Sequence, residues 1–476
     1  MQGTQFDFSF APGTTQQQII GFEMAGELWS EYLDDNVIIN IHVEMTDTLP
    51  ENVIGGALPR LEKGVKFEKI SQQLWEDSNS EDDEVAVDSL IGTKEFSALV
   101  DGHRADKLKE MKLTNANLKA LDSLKDQQKL FEKETKKLDL GKNELDGYIL
   151  MNHFKGRDDI GWDYDFARTS NIDSDELDFL SVAVHEIGHV LGFTSGLDDG
   201  DWRNQVGEAG KELHKGKFKG DVIKLATPLD LFRYSSSGNR NLTLGQDSYF
   251  SIDGGRTKLA EFSTGKSESG GDGYQASHWK HSEDNVLGIM DPALKKGVRR
   301  GLSSLDLKAM DVIGWNIKNP GQLDWQDMYS DAVRSANYAY VDDREKDVEE
   351  MIKESNRYDR RSSGRGRSSR GYTQLAFEQQ IMFQTLDDVT VELPPTIVPT
   401  EVFTLADSSV ASFPIQTFTE PGEDFNIEGE YLEVVASDAV NLKIDSLAET
   451  SVTESVDLSA IAKLLENSIE DAGALF

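Results

Sequence analysis

His185 and His189 stand four residues apart with Glu186 beside the first, in the run His185-Glu186-Ile187-Gly188-His189. On an α-helix that spacing puts the two imidazoles one turn apart on one face. About 5–6 Å then separates their Cβ atoms, close enough for both rings to reach one Zn²⁺. Glu186 is rotated by about 100° from His185, so it is poorly placed as a further ligand but well placed to reach a water on the metal. A Lewis acid that polarises a carbonyl, a water of lowered pKa and a carboxylate to take its proton together make an amide hydrolase. The same pattern also arises by chance, mostly in loops and on charged surface helices. Here it falls in a capped, periodic, otherwise apolar stretch, where two imidazoles and a carboxylate are costly to bury without a metal.

The rest of the composition narrows the chemistry. The 476 residues include no cysteine, which excludes disulfides, thiolate metal sites and a thiol nucleophile. Any transition metal must be held by carboxylates and by some of the 8 histidines. The formal net charge of -37, from 86 acidic and 49 basic side chains, disfavours nucleic acid and anionic lipid as partners. No run approaches a membrane span, and Met1 to Asp7 has neither the basic nor the apolar region of a signal peptide.

The elements that must position the motif can be read from hydrophobic period. Phe6, Phe8 and Phe10 alternate as in a half-buried strand, Gln16 to Leu33 reads as an amphipathic helix, and Val37 to Met45 alternates again. This predicts a strand–helix–strand opening with the two strands parallel. Leu145 to Asn152 reads as a further strand and Trp162 to Phe166 as a short one. Asp173 to Leu191 reads as the clearest helix, with Asp173 and Glu176 as a capping box and Gly192 as its stop. A hairpin is expected around Asp253-Gly254-Gly255, and a second capped helix over Ser303 to Ile313. His42, His103, His153 and His214 lie in polar, charged or loop contexts and are expected at the surface.

The motif continues as Val190-Leu191-Gly192-Phe193, so that the whole resembles the metzincin signature H-E-x-x-H-x-x-G-x-x-H. The position of the third ligand in that signature is Ser195, a poor donor to Zn²⁺. His278, in Gln275-Ala276-Ser277-His278-Trp279, is the best replacement. It precedes Gly288-Ile289-Met290-Asp291-Pro292, which is similar to the Met-turn of metzincins and above all to the matrixin version. A long excursion before the third histidine is similar to the leishmanolysin arrangement, and the whole pattern also looks like a little-characterised bacterial group of metzincin-like proteases. The resemblance spans about Phe6 to Ile317. It implies an α/β (α+β) zincin catalytic domain with a twisted mixed sheet and an active-site helix. It further implies Zn²⁺ held by His185, His189 and His278, with Glu186 as general base and then acid.

Other third ligands stay open on sequence alone: His281, a carboxylate from Asp198, Asp199 or Asp201, or Glu208 or Glu212. Asp253 and Asp272, among glycines, make Ca²⁺ a secondary cofactor reading, although no full D-x-D-x-D-G pattern is present. The expected organisation is an N-terminal catalytic subdomain over 1–195, carrying a charged, mostly helical insertion at about 62–142. A lower catalytic subdomain over 196–320 follows, then a helix and Arg/Ser/Gly linker over 321–371. The acidic region 372–476 is expected to be β-rich or disordered. The expected function is a zinc-dependent endopeptidase acting on protein or peptide substrates, paired in extended form along an edge strand at Leu145 to Asn152. The alternative is a non-catalytic, zinc-stapled surface or interaction protein. The expected location is secreted or extracellular, with cytoplasmic as the alternative.

Overall fold

The alternation of Phe6, Phe8 and Phe10 does form a strand, β1 (Gln5–Phe10), and the chain then turns into helix α1 (Gln16–Tyr32). Thr15 and Gln18 cap α1 reciprocally, so its first backbone N–H groups have partners. The computed structural model describes residues 3–47, 49–90, 92–121, 144–355 and 382–387, with the strands Ala411–Pro414 and Tyr431–Val434. These last two pair antiparallel with each other within a separate unit, Pro394–Val456. The remainder of the description concerns the larger unit.

Its centre is a mixed sheet of seven strands. After β1 come β2 (Ile38–Thr46), β3 (Val53–Pro59), β4 (Gly147–Asn152), β5 (Ala293–Leu294), β6 (Tyr340–Val341) and β7 (Met382–Leu386). Across the sheet the order is β5-β7-β3-β4-β2-β1-β6. β1, β2 and β4 run parallel, as expected for a strand–helix–strand opening, whereas β3 is antiparallel to β4 on one side and to β7 on the other. β4 reads as a continuous apolar run because both its faces are covered. Ile149 and Met151 enter the main core, while Tyr148 and Leu150 join Val348 and Met351 in a smaller core on the opposite face.

Helix α2 (Phe179–Leu191), which carries the histidine motif, packs on the sheet and against α1. Phe22 meets Phe179 edge to face with ring centroids 5.6 Å apart, and the Trp29 indole donates 3.0 Å to the Val184 carbonyl. Close approach of α2 to the sheet and to α1 depends on glycines. A Cβ at Gly147 would lie 2.5 Å from Val190, and one at Gly21 would lie 2.5 Å from the Phe179 ring. Helix α3 (Ser304–Val312) follows the lower part of the site, with Ser303 and Asp306 forming the expected capping box. No helix among the described residues is long and apolar enough to cross a membrane.

Several expectations need correction. The histidine helix begins at Phe179 rather than Asp173, because Glu176–Asp178 extends and pairs parallel with Gly161–Asp163. The insertion holds helices at Phe67–Asp77, Glu81–Asp88 and Asn115–Ala120. Among its described residues it also contains antiparallel pairs of Leu61–Lys66 with Glu110–Thr114 and of Phe96–Val100 with His103–Leu108, so strands stand beside helices in that part. The tight turn between the latter two strands puts Asp101 and Gly102 at positive φ, a local signal that the charge pattern obscures. Its residues 122–143 lie outside the described residues, as does the Arg/Ser/Gly linker around 360–367. β4 is not an edge strand, since β2 and β3 flank it. His42 is fully buried on β2, hydrogen-bonded at Nδ1 to Ser9 over 2.9 Å, not at the surface. β7, from the supposedly separate acidic region, belongs to the main sheet.

The Gly147–Val190 contact gives a direct test of this packing. Gly147→Ala is expected to destabilise the chain by about 1–3 kcal/mol through overpacking. Combined with Val190→Ala it should cost less than the sum of the two single changes, because the second makes room for the first. Urea midpoints of the four chains measure this, and strict additivity would contradict the contact.

Candidate metal centre

The local sequence places the histidines through the two ends of α2. At its start the Asp178 carboxylate accepts from the Ser181 N–H over 3.0 Å, capping the helix, and is held by both Arg168 amino groups at 2.7 and 3.0 Å. At its end Gly192 takes φ +126°, a conformation that L side chains rarely adopt, and turns the chain away. Between them every residue of the helix is buried, including His185, Glu186 and His189. Gly188, one turn inside, has no side chain because Met290 Sδ would lie 2.6 Å from its Cβ. The Met290 turn therefore packs against the helix between the two histidines.

His278 reaches the same point from a loop braced on three sides. Asp198 accepts from the Ala276 and Ser277 N–H groups, both at 2.8 Å, and from the Ser277 hydroxyl. Fully buried Arg233 donates to the Ser263 carbonyl at 3.2 Å and to the Ala276 carbonyl, and lies over the Phe262 ring. The Trp279 indole donates 2.8 Å to Asp306 on α3. The same Asp306 carboxylate accepts from the Ile289 N–H at 2.8 Å and from the Ser303 N–H at 2.7 Å, so it joins the third histidine, the Met290 turn and the start of α3. Arg233, Asp198 and Asp306 as braces escaped the sequence reading. Asp306 gives a signal there as a helix-capping residue and Asp198 as a candidate ligand, but neither as a brace.

The outcome is a convergence of three Nε2 atoms. His185 and His189 are 3.1 Å apart, His189 and His278 3.2 Å, and His278 and His185 3.3 Å. Donors placed about 2.0–2.1 Å from a tetrahedral ion are separated by roughly 3.3 Å, so the three atoms fit one metal. Each Nδ1 faces a backbone carbonyl: His185 that of Ile289 at 2.7 Å, His189 that of Phe193 at 2.7 Å and His278 that of Gln275 at 3.1 Å. Those carbonyls only accept, so each Nδ1 carries the proton and each Nε2 presents a lone pair. Burial holds His185 and His189 well below the usual imidazole range and lowers His278 to about 4, which keeps all three neutral. Among the described residues this is the group of histidine and carboxylate side chains whose donor atoms meet closely enough to hold a metal ion.

Glu186 lies one residue along α2 from His185. Its carboxylate lies against β3, where a Cβ on Gly55 would be 2.7 Å from Oε1. Neither oxygen has a partner in good hydrogen-bond geometry, although the backbone N–H of Gln384 faces the group. Burial holds its carboxyl well above the usual range. β3 and Gly55 went unnoticed in the sequence, because a short run with two glycines and a proline carries little strand signal.

The other candidate ligands have different partners. The Ser195 hydroxyl donates 2.7 Å to Asp230, and His281 lies between Asp291 at 2.9 Å and Asp387 at 2.8 Å. Asp198 braces the His278 loop, Asp199 pairs with Lys112 at 2.9 Å, and Asp201 accepts from the Asn204 and Gln205 side chains. Glu208 pairs with Lys211, and Glu212 with Lys219 at 3.1 Å. Asp253 and Asp272, the calcium candidates, accept from backbone N–H groups of Arg256, Thr257 and Thr264.

Removing one donor of three should weaken metal binding by more than the roughly 10–100-fold typical of losing an outer partner. His278→Ala is therefore expected to lower affinity for Zn²⁺ by at least about 100-fold in competition with a chelating dye. Ser195→Ala and His281→Ala should each leave it within about threefold, since neither side chain points at the three Nε2 atoms. Equal losses in all three variants would mean that the cluster is not the binding site.

Compared with known proteins, the chain matches no family model, no curated protein and no solved structure.

Proposed function

We propose that the chain is a zinc-dependent endopeptidase of metzincin-like architecture. The single observation that carries the proposal is the pairing of three converging imidazole Nε2 atoms with a carboxylate that has no good partner, one residue along the same helix. Three neutral nitrogen donors suit zinc, and a catalytic zinc site typically keeps its fourth position for water or substrate. A structural zinc ordinarily takes four protein donors and needs no carboxylate beside it. The complete burial of the three histidines would suit a structural staple, but the three-donor set and Glu186 do not. The mixed sheet, the helix carrying the motif and the Met290 turn packed at Gly188 also support the metzincin resemblance.

Bound zinc would supply Lewis acidity toward a peptide carbonyl and toward the attacking water. The protein residues do the rest. The three backbone carbonyls hold the imidazoles in one tautomer and one orientation, so the donors need not reorganise during the reaction. Glu186 takes the proton of the attacking water and delivers it to the departing amide nitrogen. Gly55 leaves space on β3 for that carboxylate, and the antiparallel direction of β3 supplies backbone groups with which an extended peptide can pair. Substrates of this class are unfolded or extended protein segments.

Glu186→Gln separates metal binding from turnover. The variant keeps all three donors and is expected to bind about one zinc per chain with unchanged affinity. Its cleavage of casein or gelatin should fall by about two to four orders of magnitude, the usual contribution of a general base. A variant that stayed as active as the parent chain would end the hydrolytic assignment.

A further inference from the structure

β7 lies where a substrate peptide should lie. Met382–Leu386 pairs antiparallel with β3, placing Met382 opposite Ala57, Phe383 opposite Gly56 and Gln384 opposite Gly55. Gly55 is the residue against which the Glu186 carboxylate rests. The opposite edge of β7 pairs with β5, which directly follows the Met290 turn, through the Thr385 N–H to the Pro292 carbonyl at 2.8 Å. β7 therefore bridges from the strand beside the general base to the loop beneath the metal ligands. With it in place His185, Glu186, His189 and His278 are all fully buried. A protease whose reacting groups no water or substrate reaches cannot turn over in that state.

The contacts of β7 are specific. The Phe383 N–H donates 2.7 Å to the side chain of Gln275, whose own carbonyl orients His278. Gln384 is fully buried, with its backbone N–H facing Glu186, and the Leu386 N–H donates 2.9 Å to the Asn52 carbonyl. Met382 and Leu386 are buried as well, so alternate side chains point into the molecule as those of a bound extended peptide would. Just beyond the strand, Asp387 pairs with His281 at 2.8 Å and with Lys295 at 3.6 Å.

We infer that Met382–Leu386 is a built-in occupant of the substrate groove, and that the chain folds in a latent form opened by departure of this strand. The inference rests on the proteolytic reading of the site. A substrate would replace β7 on the same edge of β3, presenting apolar side chains where Met382 and Leu386 now sit. Both strands offer the same backbone hydrogen bonds, so strand and substrate exclude each other by competition for one edge.

The test uses the full chain. Gln384→Pro removes the N–H that faces Glu186 and disfavours the strand centre. Backbone amides of residues 53–58 should then exchange hydrogen faster, a chelator should strip zinc faster, and casein cleavage should rise by about tenfold or more. Because the chain has no cysteine, Ala57→Cys combined with Met382→Cys provides a reversible lock between register partners. The oxidised form should be inactive and slow to lose zinc, and phosphine reduction should restore the behaviour of the parent chain. This pair decides the matter if the proline variant fails to fold. Faster exchange and zinc loss without any cleavage would support occupancy of the groove and sink the protease reading instead. Unchanged exchange and zinc release in a folded Gln384→Pro chain would overturn the latent state. So would an oxidised lock that cleaves as fast as its reduced form.

Discussion

Three nitrogen lone pairs held 3.1–3.3 Å apart in a buried space repel one another unless a cation lies between them. Much of the surrounding structure keeps those lone pairs converged. Protonation would relieve the repulsion in water, but burial lowers the imidazole pKa values and excludes that route. The three Nδ1–H groups are fixed on the carbonyls of Ile289, Phe193 and Gln275, so no ring can rotate away without losing a buried hydrogen bond. Apolar packing alone would not select this arrangement. A metal ion between the three nitrogens would stabilise it by the binding free energy.

Buried and half-buried carboxylates transmit that requirement outward. Asp306 holds Trp279, Ile289 and Ser303 together, and Asp198 holds the two residues before His278. Asp178 caps α2 and is paired with Arg168. Each accepts several hydrogen bonds, which is what makes a buried charge tolerable. They bring segments distant in the chain, around 178, 198, 278 and 306, to one place. Loss of a brace would therefore be felt at the three imidazoles even though the brace touches none of them.

The same geometry explains why the site can be both complete and closed. β3 is antiparallel to β4 and leaves one edge toward the helix that carries Glu186; backbone groups on that edge need partners. β7 supplies them, and with it in place the histidines are buried. An exposed strand edge and a carboxylate without a hydrogen-bond partner are separate liabilities, and one five-residue strand lies beside both.

How much could be read beforehand follows from the range of the interactions. The histidine helix was legible because its chemistry is local: a four-residue spacing fixes which side chains share a face, whatever the helix packs against. His278 and Met290 were legible only through resemblance, as nothing in their spacing from His189 requires contact, and the fold had to bring them together. The start of α2 was misplaced because Asp173–Glu176 imitates a cap, whereas pairing of Glu176–Asp178 with Gly161–Asp163 shifted the true cap to Asp178. β3 and β7 were missed for a deeper reason. Strand pairing is made by backbone groups that every residue possesses, so which strand borders Glu186 and which segment lies across it leave little trace in side-chain pattern. The sequence by itself determined His185, Glu186 and His189 and the helix they share. The approach of His278, the carboxylate braces and the strand paired with β3 were decided by tertiary structure, because they depend on contacts between residues as far apart as Ala57 and Met382, more than three hundred positions.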